Sequence, residues 1–130
     1  MSSILENSDK YGPRSEYVPF PEHFRFKYQI NVDGTVAAYR LPYLLLGNSV
    51  VFKQESKYYE HFYSLLQPGR DFVSLRSDLS DTVEKIQWAR ENDALMRNIS
   101  MSANRVVSKA LEPGNIFCYW MSVLEVIILQ

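Results

Sequence analysis

The reading of the fold turns on one stretch: Phe26-Lys27-Tyr28-Gln29-Ile30-Asn31-Val32, then Asp33-Gly34, then Thr35-Val36-Ala37-Ala38-Tyr39-Arg40-Leu41. Its first part alternates apolar and polar residues and is rich in aromatic and β-branched side chains, the mark of a half-buried strand. Asp33-Gly34 supplies turn chemistry. The run from Thr35 favours a helix reaching Leu46, which Pro42 makes start late or bend, and Gly47-Asn48 ends it. Residues 49–53, Ser-Val-Val-Phe-Lys, read as a short buried strand. Strand, turn, helix and strand in so few residues is a minimal βαβ unit, whose strands are parallel and whose crossover is right-handed.

Outward from this unit the chain keeps the same class. Residues 1–19 are polar and broken by Gly12-Pro13 and Pro19, a loop or tail. Pro21-Glu22-His23-Phe24 predicts a short helical turn with proline near its start. Downstream, residues 58–63 predict a short helix or ordered loop, Pro68-Gly69 a break and residues 72–75 a third strand. A helix follows to Asn92, capped by Asp78 or Ser80, with Leu79, Val83, Ile86 and Ala89 on one face. A second helix is expected over 93–111. A third starts after Pro113-Gly114 and carries Ile116, Trp120, Leu124 and Ile127 on one side. The expected fold is α/β: a Rossmann-like unit over residues 20–130 with a small, mostly parallel sheet and helices on both faces.

Composition narrows the function. Of 130 residues, 46% are hydrophobic and 22% charged, which excludes disorder of the whole chain. The net charge of −1 provides no field to steer a polyanion, and no nucleic-acid motif is present. No apolar run approaches the ~18 residues of a membrane span, and Glu125 interrupts the last one. Residues 1–7 lack the basic and apolar regions of a signal peptide. Cys118 has no internal partner, and its context of Phe117, Tyr119 and Trp120 predicts a buried small hydrophobe.

Two constellations carry chemistry. At the strand-to-helix turn, Gly34 lets a ligand approach the backbone, and Thr35, Val36, Ala37, Ala38 and Tyr39 follow with free N–H groups at a helix start. Arg40 lies one turn on and forks onto a phosphate. The competing reading is an ordinary tight turn with Arg40 in a surface salt bridge. The second is Lys53-Gln54, just after a strand and followed by Glu60, where open α/β sheets gather ligands. Its competitor is a pair of solvated surface charges. His23 and His61 have no partners at metal-ligand spacing, so no metal site is expected. No nucleophile elbow occurs. Asn98-Ile99-Ser100 is a glycosylation acceptor triplet, a weak signal inside a predicted helix.

Residues 26–45 as a block, residues 50–56, Tyr58-Tyr59-Glu60-His61-Phe62-Tyr63, Ile86-Gln87-Trp88-Ala89 and Ile116-Phe117-Cys118-Tyr119-Trp120 together resemble the protein O-glucosyltransferases. These share a domain with fungal capsule-associated proteins, and the match is closest to the branch ending in a KDEL-type signal. It covers about residues 10–130. The resemblance implies the C-terminal, donor-binding half of a GT-B enzyme that transfers glucose from UDP-glucose to serine of EGF-like repeats in the endoplasmic reticulum lumen, without a metal or other cofactor. It implies that Gly34 to Arg40 line the UDP-sugar site. It further implies that the family's catalytic aspartate belongs to an N-terminal half not represented here, so that no catalytic residue is expected in this chain and it is expected to be inactive alone. A truncated binding module without turnover is the alternative. Cys118 matches a cysteine that pairs far upstream in some relatives, and a second pair of theirs falls at Phe24 and Gly47. The resemblance also implies an N-terminal signal and a C-terminal retrieval tetrapeptide, and neither is read within residues 1–130.

Overall fold

A computed structural model describes residues 16–129, so most of the tail read over residues 1–19 lies outside the described residues. The architecture is α/β. A three-stranded sheet is made by β1 (Tyr28–Asn31), β2 (Val50–Gln54) and β3 (Val73–Leu75), and α1 (Leu41–Leu46) connects the first two. Three helices follow: α2 (Thr82–Glu91), α3 (Asp93–Ala110) and α4 (Pro113–Ile128). Short 3-10 turns form at Phe20–Arg25, with Pro21 near its start, and at Tyr63–Leu65.

The strands lie in the order β1-β2-β3, all parallel. Asn31 stands opposite Lys53, and Gln54 opposite Leu75. Because successive strand side chains face opposite ways, β2 feeds two cores. Val51 packs with Leu41, Leu44 and Leu45 of α1, while Val50 and Phe52 pack with Val73, Leu75 and Ala89. Helix α3 is long enough to serve both, through Met96 and Ile99 in one cluster and Ala103 and Val107 in the other. Burying a side chain such as Phe52, fully enclosed here, contributes roughly 1.5–3 kcal/mol.

Several local expectations are corrected. In β1 the buried phase is the polar one: Gln29 and Asn31 are buried, whereas Ile30 is 41% exposed. Gln29 is affordable inside because its amide donates to Ser49 Oγ at 2.8 Å and to the His23 carbonyl at 3.0 Å. Ser49 in turn donates to the Phe26 carbonyl at 2.7 Å. The helix expected from Thr35 begins only at Leu41. The Gly34 N–H bonds the Val36 carbonyl and the Asp33 carboxylate takes the Ala38 N–H, so residues 33–38 are held as a loop. Helix α2 starts after Asp81, not at Asp78 or Ser80. Asp78 is engaged with the Ser80 N–H, and Leu79 adopts a left-handed backbone with φ 61°. Val83 points out at 68% exposure, leaving Leu79, Ile86 and Ala89 on the core side.

Helix α4 differs most from expectation. None of its residues is buried, and Cys118 is exposed rather than enclosed. The helix leans on the body through contacts such as the His61 and Tyr119 rings, 4.9 Å apart. Phe24 and Gly47 stand face to face: a Cβ on Gly47 would lie 2.7 Å from the Phe24 ring, so a larger residue there would force that ring to move.

Among the described residues Asp71 is the one fully buried acid. Burial pushes its carboxyl up, but Arg70, the Ser102 hydroxyl at 2.6 Å and the Gln67 N–H at 2.8 Å together hold it below the ordinary range. A depressed acid stabilises the fold above its unfolded value, about 3.9, and the contribution is lost as pH falls through the folded value. Thermal melting of the wild type is therefore expected to weaken below about pH 4. In Asp71→Asn that acid limb is expected to flatten, because the titrating group is gone.

Candidate functional site

The C-terminal edge of the parallel sheet gathers the polar residues singled out from the sequence. The loop after β1 leaves the sheet at Val32 and Asp33. Two bonds tie it down: the Asp33 N–H donates to Gln54 Oε1 at 3.1 Å, and the Arg40 guanidinium donates to the Val32 carbonyl at 2.9 Å. Gln54 continues the tether by donating from Nε2 to the Ser77 carbonyl at 2.6 Å. Among the described residues Arg40 pairs with no carboxylate, which disfavours the surface salt-bridge reading. Its remaining N–H donors are unspent.

The loop offers amides rather than a helix end. The N–H groups of Thr35, Val36, Ala37, Tyr39 and Arg40 make no hydrogen bond among the described residues, whereas Ala38 is already used. Helix α1 begins beyond them and is a turn and a half long, so the expected helix-dipole contribution at Gly34 is replaced by these loop donors. Gly34 is exposed, lacks a left-handed backbone, and a Cβ there would meet no atom within 4 Å. The fold itself does not call for glycine at this position.

Beside the loop, Lys53 emerges from β2 half-buried. Its ammonium sits 4.9 Å from the Tyr63 ring centre and 5.8 Å from that of Phe72, and donates to the Gln54 carbonyl at 3.3 Å. Desolvation pushes its pKa down, only partly opposed by the Asp33 charge. Glu60 accepts from the Tyr63 hydroxyl at 3.3 Å. Burial, then the Glu60 and Asp33 charges, push the Tyr63 phenol up, so it remains a donor. A cleft of about 430 Å³ opens here, lined by Lys53, Gln54, Ser56, Tyr59, Tyr63 and Phe72. Arg40 lines a separate groove of about 910 Å³, which runs along β1 past Tyr28, Ile30, Tyr39 and Tyr43 and shares no lining residue with that cleft.

Thus Asp33, Lys53, Tyr63 and Glu60 are brought into electrostatic contact, and Arg40 is docked on the same sheet edge. His23 and His61 lie apart from this cluster, His23 bonded to the Val18 carbonyl and His61 against Tyr119. Asn98 is exposed on α3 while Ser100 of the same triplet is buried. Sequence reasoning placed Gln54 beside Lys53 at the end of a strand, where parallel sheets present ligand-facing residues, but not its tether to the loop after β1, and it missed Tyr63. Tyr63 comes from a loop whose path no local pattern encodes.

Comparison with known proteins agrees with this architecture. The glycosyl transferase family 90 model matches residues 2–126. Protein O-glucosyltransferase 2 of Danio rerio is 51% identical over 115 residues, covering 88% of this chain and 23% of that protein. Protein O-glucosyltransferase 3 of Homo sapiens is 43% identical over 122 residues, covering 94% of this chain and 24% of that one. Protein O-glucosyltransferase 1 of Homo sapiens is 30% identical over 113 residues, with 87% and 29% covered. The chain spans about a quarter of the length of these relatives.

Proposed function

This chain belongs to glycosyl transferase family 90, and from that premise we propose that it forms the nucleotide-sugar face of a protein O-glucosyltransferase. The donor is UDP-glucose and the acceptor is a serine hydroxyl of an EGF-like repeat, in the endoplasmic reticulum lumen. The surrounding enzyme has two facing domains of the GT-B kind, and this segment belongs to the donor-binding one. The observation that carries the reading is that Arg40 and a loop of unspent amides follow β1, and Lys53 stands near the end of β2, all at the C-terminal edge of a parallel sheet.

The chemistry follows from charge. Departure of UDP builds negative charge on the diphosphate. Arg40 meets it with a planar fork of donors and the loop amides add fixed dipoles, so no metal is needed to neutralise it. Lys53 and Glu60 hold hydroxyls or phosphate oxygens on the far side of Asp33. The base that takes the serine proton comes from another part of the enzyme.

Gly34→Ala tests this directly. The backbone there accepts alanine and no protein atom obstructs the methyl group, so thermal stability should hold or rise by up to about 1 kcal/mol. A diphosphate lying against the loop would meet that methyl, at a cost of about 1–3 kcal/mol or roughly 5- to 150-fold in affinity. Calorimetric titration with UDP-glucose reads the effect. Equal affinity for both forms would contradict the placement of the donor on this loop.

A further inference from the structure

Asn31, the last residue of β1, is 1% exposed, and its carboxamide oxygen has no hydrogen-bond partner among the described residues. A buried amide left so is costly, on the order of 1–3 kcal/mol, and sequences that fold well rarely keep one without a use. Parallel register sets Asn31 directly opposite Lys53. Adjacent strands lie about 4.8 Å apart and paired residues share a sheet face, so the two side chains leave neighbouring strands on the same face. Lys53, for its part, is short of acceptors. It has no carboxylate within ion-pair distance among the described residues, and its single bond is to the Gln54 carbonyl at 3.3 Å. The ammonium thus holds spare protons and the asparagine a spare acceptor, on one face of the sheet.

We propose that Asn31 is a positioning residue for Lys53: its carboxamide oxygen takes one ammonium proton when a nucleotide sugar occupies the cleft, and this aims the remaining protons at the ligand. The inference rests on the donor-site reading above and deepens it. Asn31 itself stays out of reach of the ligand, because its oxygen is closed to solvent. The group that Lys53 then holds is an oxygen acceptor of the donor, either a diphosphate oxygen or a hexose hydroxyl.

Charged groups around Lys53 set the pH behaviour. Asp33 faces it from the loop after β1, Glu60 lies across the Tyr63 ring, and Glu55 lines the same cleft. Lys53 starts below the ordinary lysine value through desolvation. An acceptor on its ammonium favours the charged form, so loss of Asn31 lowers it further. Affinity for the ligand should then fail at a lower pH in the variant than in the wild type.

The experiment is a double-mutant cycle in the 130-residue chain, with affinities for UDP and for UDP-glucose measured by calorimetry from neutral to alkaline pH. Asn31→Leu keeps the branched four-atom skeleton of the side chain and removes an unpaired polar group, so its melting temperature should not fall. Asn31→Ser provides a second variant should the leucine form not fold. Lys53→Met keeps the stem over the Tyr63 ring. Each single variant is expected to bind UDP-glucose about 5- to 20-fold more weakly, and the double variant no worse than Lys53→Met. Asn31→Leu should also move the alkaline limb to lower pH. Equal losses for UDP and UDP-glucose assign the contact to the diphosphate. A loss seen only with UDP-glucose assigns it to the hexose. Wild-type affinity in Asn31→Leu, or a loss that adds fully to that of Lys53→Met, overturns the proposal while leaving the donor site standing. Absence of binding by the folded wild type overturns both.

Discussion

Incubated with UDP-glucose and a folded EGF-like repeat, the 130-residue chain is expected to return the repeat at its unmodified mass. Glycosyl transfer needs donor, acceptor hydroxyl and base held in one geometry, and that positioning is worth about 7–11 kcal/mol of barrier. Two of the three carboxylates at the sheet edge are committed to other roles, and the third, Glu55, is exposed. Asp33 holds the Ala38 N–H at 3.1 Å and Glu60 accepts from Tyr63. A general base must instead reach the serine proton in the productive complex. The matched relatives carry about three quarters of their length outside the segment aligned here. Their remaining part is where the account places the base and the acceptor surface. Joining this chain to that part of a relative should restore transfer, read as one added hexose by mass spectrometry. A hexose added by the chain alone would contradict this assignment and make Asp33, Glu55 or Glu60 the base.

Arg40→Ala is expected to weaken UDP binding by about 1.5–3 kcal/mol, or roughly 10- to 150-fold. The guanidinium spends one donor on the Val32 carbonyl and meets no acid among the described residues, so its charge is available to a diphosphate. Stability should change little, since the bond it loses lies in a partly exposed loop. Arg40→Lys should recover only part of the affinity, because an ammonium cannot reproduce a planar two-pronged contact. Calorimetry at fixed ionic strength measures both variants. Full binding by Arg40→Ala would remove Arg40 from the site.

The parallel βαβ unit was legible because three kinds of signal agreed: alternation in residues 26–32, turn chemistry at Asp33-Gly34 and an apolar run before Gly47. The turn at Asp33-Gly34 was legible, but that residues 35–40 continue as loop rather than helix was not. Propensity favours helix there, and the Asp33 side chain overrides it by capturing the Ala38 N–H. The buried polar phase of β1 was hidden for a related reason. Ser49 and the His23 carbonyl, distant in sequence, satisfy Gln29, and no periodicity encodes those partners. Helix α4 misled differently. An apolar helix normally announces burial, yet Trp120 is 57% exposed and Cys118 is open. Local pattern states what a helix needs to cover, not which part of a protein covers it.

The central claim is that the loop from Gly34 to Arg40 and the neighbouring Lys53 bind the nucleotide of a sugar donor. Titration of the isotope-labelled, folded chain with UDP, followed through backbone amide resonances, addresses it most directly. The account predicts shifts concentrated at residues 34–40 and 53–60, with α4 unaffected. No shift at millimolar UDP, or shifts confined to residues away from the C-terminal edge of the sheet, would contradict it.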